Sequence, residues 1–183
     1  MTTNTEVLQY PILGARRFSN IFFAVIVAIG ASGFLLAGLS SYFKVNLLPT
    51  ANPVMVDFLP QGIALSFYGI AGTLLDAYLW FVIAIDLGGG FNEFNRSTGK
   101  IRIFRRGYPG KDRLLDFEYA IADAQAVRVD LRNGLNPKRA LYLRLKGKGD
   151  IPLTEVGQPM GLAELEDRGA AIAKFLAVPL EGI

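Results

Sequence analysis

The stretch Ile21 to Leu39, IFFAVIVAIGASGFLLAGL, is 19 apolar or small residues long, and the charge-free run around it extends from Phe18 to Phe43. A helix needs about 20 such residues to cross a bilayer, so this segment predicts a membrane span. Arg16 and Arg17 before it would also suit a signal peptide, but that apolar part is usually about 7–15 residues and a polar mature domain should follow. A second apolar run follows instead: QGIALSFYGIAGTLLDAYLWFVIAI, Gln61 to Ile85, interrupted by one charge, Asp76, and carrying Tyr78 and Trp80 toward its far end, where rings suit a headgroup layer. The expectation is a transmembrane hairpin over 18–85, with helices over about 20–42 and 62–85. Pro49, Pro53 and Pro60 predict a short non-helical connection between them. A segment 1–17 precedes the hairpin and a domain over 86–183 follows it.

Composition agrees. The chain has 183 residues, 51% hydrophobic and 19% charged, where soluble domains carry about 25% charged residues. Histidine and cysteine are both absent. That excludes imidazole or thiolate metal ligation, Ser-His and Cys-His catalytic pairs, and disulfides. The net charge of +3 arises entirely after residue 85, because Arg16, Arg17 and Lys44 are balanced by Glu6, Asp57 and Asp76. Arg96, Lys100, Arg102, Arg105, Arg106, Lys111 and Arg113 crowd into one stretch against Asp112 alone. With basic residues before the first helix and after the second, and Lys44 between them, both termini are expected on the cytoplasmic side or its equivalent.

Within the hairpin, Gly33 and Ala37, Ala24 and Ala28, and Gly69 with Gly72 and Thr73 offer small residues for close helix approach. Asp76 is the one intramembrane acid. A carboxylate there costs several kcal/mol unless protonated, paired or wet. Three roles stay open: a hydrogen-bonded structural group near Ser32, a contact to another membrane protein, or ion movement. A single acid without a basic partner makes a poor proton path.

After Asp86, Gly88, Gly89 and Gly90 predict a flexible break. Strands are then expected over Phe91–Arg96, Lys100–Arg106, Leu114–Ala120, Ala124–Arg132, Ala140–Lys146 and Ile151–Glu155, separated by Gly, Pro and Asn turns. Val127, Val129 and Leu131 alternate with Arg128, Asp130 and Arg132, as do Leu141, Leu143 and Leu145 with Tyr142, Arg144 and Lys146, so each strand has one core face. From Gly161 to Ala177, Leu162, Leu165, Gly169, Ile172 and Leu176 recur at helical spacing and predict an amphipathic C-terminal helix, stopped by Pro179. The fold class is therefore an α+β membrane protein: a two-helix hairpin, then an antiparallel β domain closed by a helix, similar in outline to pleckstrin-homology-like (PH-like) domains.

Chemistry is sparse. No G-x-G-x-x-G follows a strand, and GYPGK, Gly107 to Lys111, lacks the spacing and hydroxyl of a phosphate loop. Asp116 with Glu118 and Glu164 with Glu166 read as solvated surface pairs rather than catalytic dyads. The basic run, with Arg102, Arg105 and Lys111 as its candidates, suits anionic headgroups or protein contacts; without regularly spaced aromatics it does not suit nucleic acid. No catalytic residue, metal ligand or cofactor site is expected.

The stretches PQGIALSFYGIAG (Pro60 to Gly72), YLWFVIAIDLGGGFNEFNRSTGKIRIFRRGYPGK (Tyr78 to Lys111) and PLTEVGQPMGLAELEDRGAAIAKFLAVPLEG (Pro152 to Gly182) resemble the photosystem I assembly protein family of cyanobacteria and chloroplasts, the fourth of the hypothetical chloroplast reading frames. The resemblance spans nearly the whole chain. It implies a non-catalytic, multi-pass thylakoid scaffold without a cofactor, on which photosystem I core and extrinsic subunits come together, with other assembly factors and anionic thylakoid lipids as further partners and an oligomer left open. It places the connecting loop in the lumen and both termini in the cytoplasm or stroma. On the matching positions, Arg106 in RRGYPG and Glu164 and Glu166 in the terminal helix are the implied docking contacts. A membrane-anchored PH-like lipid-binding module is the competing reading.

Overall fold

The computed structural model describes residues 2–4, 6–111, 113–132, 138–154 and 161–182. They divide into two units, residues 15–86 and the combination of 1–14 with 87–183.

The first unit is the hairpin. Helix α1, Phe18–Phe43, and helix α2, Ile63–Ala84, are long and apolar enough to cross a membrane. Most of their side chains face outward, as Phe22, Phe23, Ile29, Phe67, Leu74 and Phe81 do. Where they meet, α1 buries Ala24, Ala31 and Gly38, seven apart, and Ser40 and Ser41 are buried in its last turn. Opposite them the seam runs through Gly62, at the start of α2, and Gly69, Asp76 and Ile83 on it, again seven apart; the two glycines and Ile83 are buried. A seven-residue repeat is the signature of a left-handed coiled-coil seam, and its small side chains let two backbones approach closely. A side chain at Gly38 would strike Ser66, and one at Gly69 would strike the backbone of Leu35. The expected pair of Gly33 and Ala37 is not on this seam: a Cβ at Gly33 would meet nothing. Four-residue spacing drifts around a helix relative to its partner, whereas the seven-residue set stays in line.

The connection is built on α1's last turn. Ser41 Oγ donates to the Val56 carbonyl at 2.8 Å, the Leu47 amide donates to Ser40 Oγ at 3.0 Å, and Lys44 Nζ donates to the carbonyls of Val54 and Val56 at 3.2 and 3.3 Å. At the other end Arg16 Nη2 donates to the Ala84 carbonyl at 2.8 Å and its Nε to that of Ile83 at 3.3 Å. This satisfies orphan carbonyls with a cation where the helix dipole is negative.

The second unit holds two sheets. The larger has strands β1 (Thr2–Asn4), β2 (Val7–Ile12), β3 (Gly90–Asn95), β4 (Lys100–Arg106) and β5 (Leu114–Ala120), in that order and all antiparallel. The other has β6 (Ala124–Arg132), β7 (Lys138–Leu145), β8 (Gly149–Pro152) and β9 (Leu180–Glu181) in the order β8-β7-β6-β9, with β9 parallel to β6. Helix α3, Leu162–Leu176, buries Leu165, Gly169, Ile172, Ala173 and Leu176. One core joins all three: Leu8, Tyr10, Phe94, Ile101 and Ile103 from the first sheet, Val127, Val129, Leu141, Leu143 and Leu145 from the second, and the apolar stripe of α3.

Two outcomes differ from the sequence reading. No strand was expected before Phe18, yet β2 pairs with β3 from Val7↔Asn95 to Ile12↔Gly90. Its signal is the alternation of Leu8, Tyr10 and Ile12, all buried. The glycine break is also no loose hinge. The Gly88 amide donates to the Arg106 carbonyl and the Arg106 amide to that of Gly89, each at 2.8 Å, and a Cβ at Gly90 would collide with the Phe104 carbonyl. Glycine here permits close strand approach.

Candidate functional site

The basic run does not form one patch, because most of its cations are committed within the β unit. Arg96 Nε donates to the Phe175 carbonyl at 2.9 Å, and its guanidinium lies 4.5 Å from the Phe175 ring centroid. This caps the end of α3. Lys100 Nζ reaches Glu118 Oε2 at 2.7 Å. Arg102 grips Asp116 through Nε and Nη2, with distances of 2.6–3.1 Å. That hydrogen bond holds the Asp116 carboxyl below its ordinary value, outweighing the opposing effect of burial. Such exposed pairs align strands more than they stabilise them.

Arg105 points the other way. Its Nη2 donates to Asn92 Oδ1 at 2.7 Å, and its Nη1 donates to the carbonyls of Phe104 and Phe91 at 2.8 and 3.1 Å. Asn92 is itself buried and donates to the Leu153 carbonyl at 2.7 Å, so this pair ties β3 and β4 to the segment after β8. Nothing in the local sequence separates Arg105 from its neighbours except strand parity, which puts it on the face of Ile101 and Ile103. Arg106, Lys111 and Arg113 remain exposed.

Helix α3 carries the acidic candidates. Glu164 is exposed and accepts from Arg168 Nη2 at 3.2 Å, one turn away; Glu166 is half-buried. Arg168 in turn lies over the Tyr10 ring, 5.2 Å from its centroid. Burial pushes the Tyr10 phenol above its ordinary value, against the opposing charge of Arg168. The Tyr10 hydroxyl and Arg168 Nη1 are buried without a hydrogen-bond partner.

On the second sheet's outer face, Asp150 accepts from Arg128 at 3.0 Å and from Arg144 at 3.1 Å, and Arg144 reaches Glu181 at 2.8 Å, linking all four strands. Partial burial pushes Asp150 up, but the hydrogen bonds and charges of the two arginines outweigh it and leave the carboxyl below its ordinary value.

Asp76 occupies the seam of α2, with Oδ1 buried and without a hydrogen-bond partner. Ser32, the expected neighbour, is exposed and donates to the Ile29 carbonyl at 3.0 Å instead. Among the described residues no group of three or more acids is placed to hold a metal ion.

The family model described as Ycf4 matches residues 5–174. A Synechococcus sp. protein named "Photosystem I assembly protein Ycf4" is 60% identical over 182 residues, covering 100% of this chain and 97% of the relative. Proteins of the same name from Picosynechococcus sp. and Thermosynechococcus vestitus are 58% and 59% identical, covering 100% and 97% of this chain and 98% and 93% of their own lengths.

Proposed function

The chain belongs to the Ycf4 family, and from that membership we propose that it is a photosystem I assembly factor of the thylakoid membrane, acting by docking newly made subunits rather than by catalysis. The observation that carries the reading is the name borne by full-length relatives at about 60% identity. The molecule's design suits it: a membrane-length hairpin joined to a folded β unit with charged outer faces.

In this reading the hairpin crosses the membrane twice and both termini lie on the cytoplasmic or stromal side. Its support is the pairing of Ile12 with Gly90, since strands before and after the hairpin share one sheet. The β unit, two sheets with α3 packed on them, is taken as similar in outline to PH-like domains. Arg106, Glu164 and Glu166 are the proposed contacts to photosystem I core and extrinsic subunits, with Lys111 beside anionic headgroups. Arg102 and Arg105, also candidates for headgroups, are held by Asp116 and Asn92 and so contribute less.

The test is recovery of photosystem I subunits with the tagged full-length protein from mild-detergent thylakoid extracts. The Glu164→Gln, Glu166→Gln double variant should recover fewer, with each single variant milder, because rim charges tune encounter and specificity. Undiminished recovery and undiminished photosystem I accumulation would remove α3 from the docking surface. Recovery of no photosystem I subunit by the unmodified chain would overturn the function.

A further inference from the structure

Strand β5 closes the larger sheet, and among the described residues its outer edge pairs with no other strand. Its hydrogen-bonding phase follows from its ends. The Gly107 amide donates to the Arg113 carbonyl and the Ile121 amide to the Gly99 carbonyl, each at 2.8 Å. In the register that joins Arg106 to Leu114 and Lys100 to Ala120, the odd-numbered residues of β5 therefore bond β4, and Leu114, Asp116, Glu118 and Ala120 turn their amides and carbonyls outward.

Sheet proteins usually protect such an edge by shortness, proline, lysine or a bulge. The other edges here are short: β1 has 3 residues, β8 has 4 and β9 has 2. Strand β5 has 7, LLDFEYA, with neither lysine nor proline and a continuous register. Tyr119 packs against the core, but the strand's other large apolar side chains are left open, on both faces. Leu114 is 60% exposed, Leu115 37% and Phe117 46%, although Leu115 and Phe117 share the face that is buried one strand inward at Ile103.

The charges indicate what would cover it. Across the outer face the sign alternates from Glu93 on β3 to Arg102 on β4 to Glu118 on β5, with Asp116 beside it. The next strand in that series is positive. A second copy of β5 would instead set Asp116 and Glu118 against the same acids, which cross-strand pairing disfavours.

We infer that β5 is an acceptor edge for strand addition by an extended segment of another protein, one that alternates basic residues, facing Asp116 and Glu118, with apolar residues, continuing the row of Leu115 and Phe117. Backbone hydrogen bonds to the even-numbered residues hold it, and the alternation sets its register. This inference stands independently of the function proposed above.

The experiment uses the full-length protein in nanodiscs, titrated with a synthetic peptide alternating Lys and Val and with a matched peptide alternating Glu and Val. The Lys–Val peptide should bind saturably and slow hydrogen exchange at the amides of Leu114, Asp116, Glu118 and Ala120. The Glu–Val peptide should bind about tenfold more weakly. Glu118→Pro removes an outward amide without touching the β4 ladder, so it should abolish that protection. Glu118→Lys should reverse the preference between the two peptides, and it tests the idea even if the proline variant does not fold. Absence of saturable binding, equal binding of both peptides, or unchanged binding to Glu118→Lys would overturn it. So would slow exchange of the same amides without peptide, whether it rises with protein concentration, as a second copy would cause, or with added anionic lipid.

Discussion

Arg16 and Ala84 lie 68 residues apart and are joined by a 2.8 Å hydrogen bond from the guanidinium to the helix-terminal carbonyl. The side chain that precedes the first apolar helix thus caps the last turn of the second. Its Nε adds the Ile83 carbonyl, and its backbone amide approaches Asp86 Oδ1 at 3.4 Å. Arg16→Ala should weaken the hairpin by about 1 kcal/mol, read by detergent-denaturation midpoint, with Arg16→Lys losing less because one charge–dipole contact survives. An unchanged midpoint would show the clamp to be idle.

The seam of small residues gives a sharper test. A methyl group placed on Gly72 would stand 2.9 Å from the Ala31 Cβ, near the Cβ separation of about 3.5–4.5 Å in disulfides. Since the chain has no cysteine, Ala31→Cys with Gly72→Cys should cross-link cleanly on mild oxidation, while Gly33→Cys with Gly72→Cys should not. Gly69→Leu should separate the helices and lower the yield of folded protein.

Asp76 is predicted to be a poor contributor to hairpin stability. A buried oxygen without a hydrogen bond costs about 1–3 kcal/mol, and Asp76 Oδ1 is one. Asp76→Leu should therefore leave the denaturation midpoint unchanged or raise it. If recovery of photosystem I subunits falls in that same variant, the carboxylate serves a partner rather than the fold; a lowered midpoint would identify a structural role instead.

Arg96 spends its guanidinium on the carbonyl and ring of Phe175. Arg96→Ala should cost about 1 kcal/mol and speed hydrogen exchange near the end of α3. The Val178 amide, which donates to the Ala173 carbonyl, is the reporter.

Acid should loosen both sheets in a defined window. The Asp116 and Asp150 carboxyls are held below their ordinary values in the folded chain, while in the unfolded chain they titrate near 3.9, so protons bind the unfolded state first as pH falls. Their contribution is complete above about pH 4–5 and is lost as pH drops through the folded values. Asp150→Asn should flatten that part of the stability–pH curve in a denaturant titration, and an unaltered slope would count against the Arg128, Arg144 and Asp150 lattice.

Much of this was legible in the residues. The charge-free run Phe18 to Phe43 coincides with α1, and the expected strands Lys100–Arg106, Leu114–Ala120 and Ala124–Arg132 have the observed bounds. Those elements announce themselves by local periodicity. Strand β2 was missed because six residues near a terminus carry little weight until a partner 78 or more positions away supplies the hydrogen bonds. The fate of Arg96 and Arg105 was hidden for a related reason: charge density along the chain says nothing about which face or helix end each side chain meets. The expected docking residues Glu164 and Glu166 fall on the described helix, while the expected turn at 133–137 and Glu155, the end of the expected last strand, lie outside the described residues.

The pairing of β2 with β3 also sets an order of events during synthesis. Leu8 and Tyr10 leave the ribosome before either long helix, whereas Phe94 and Ile101, their neighbours in the finished core, emerge only after both. At about 5–20 residues per second the first strand waits on the order of ten seconds for its partner. The five-stranded sheet therefore cannot close until both long helices and β3 have been made, and a deletion that removes Leu8 and Tyr10 strikes the core of the folded domain rather than a tail.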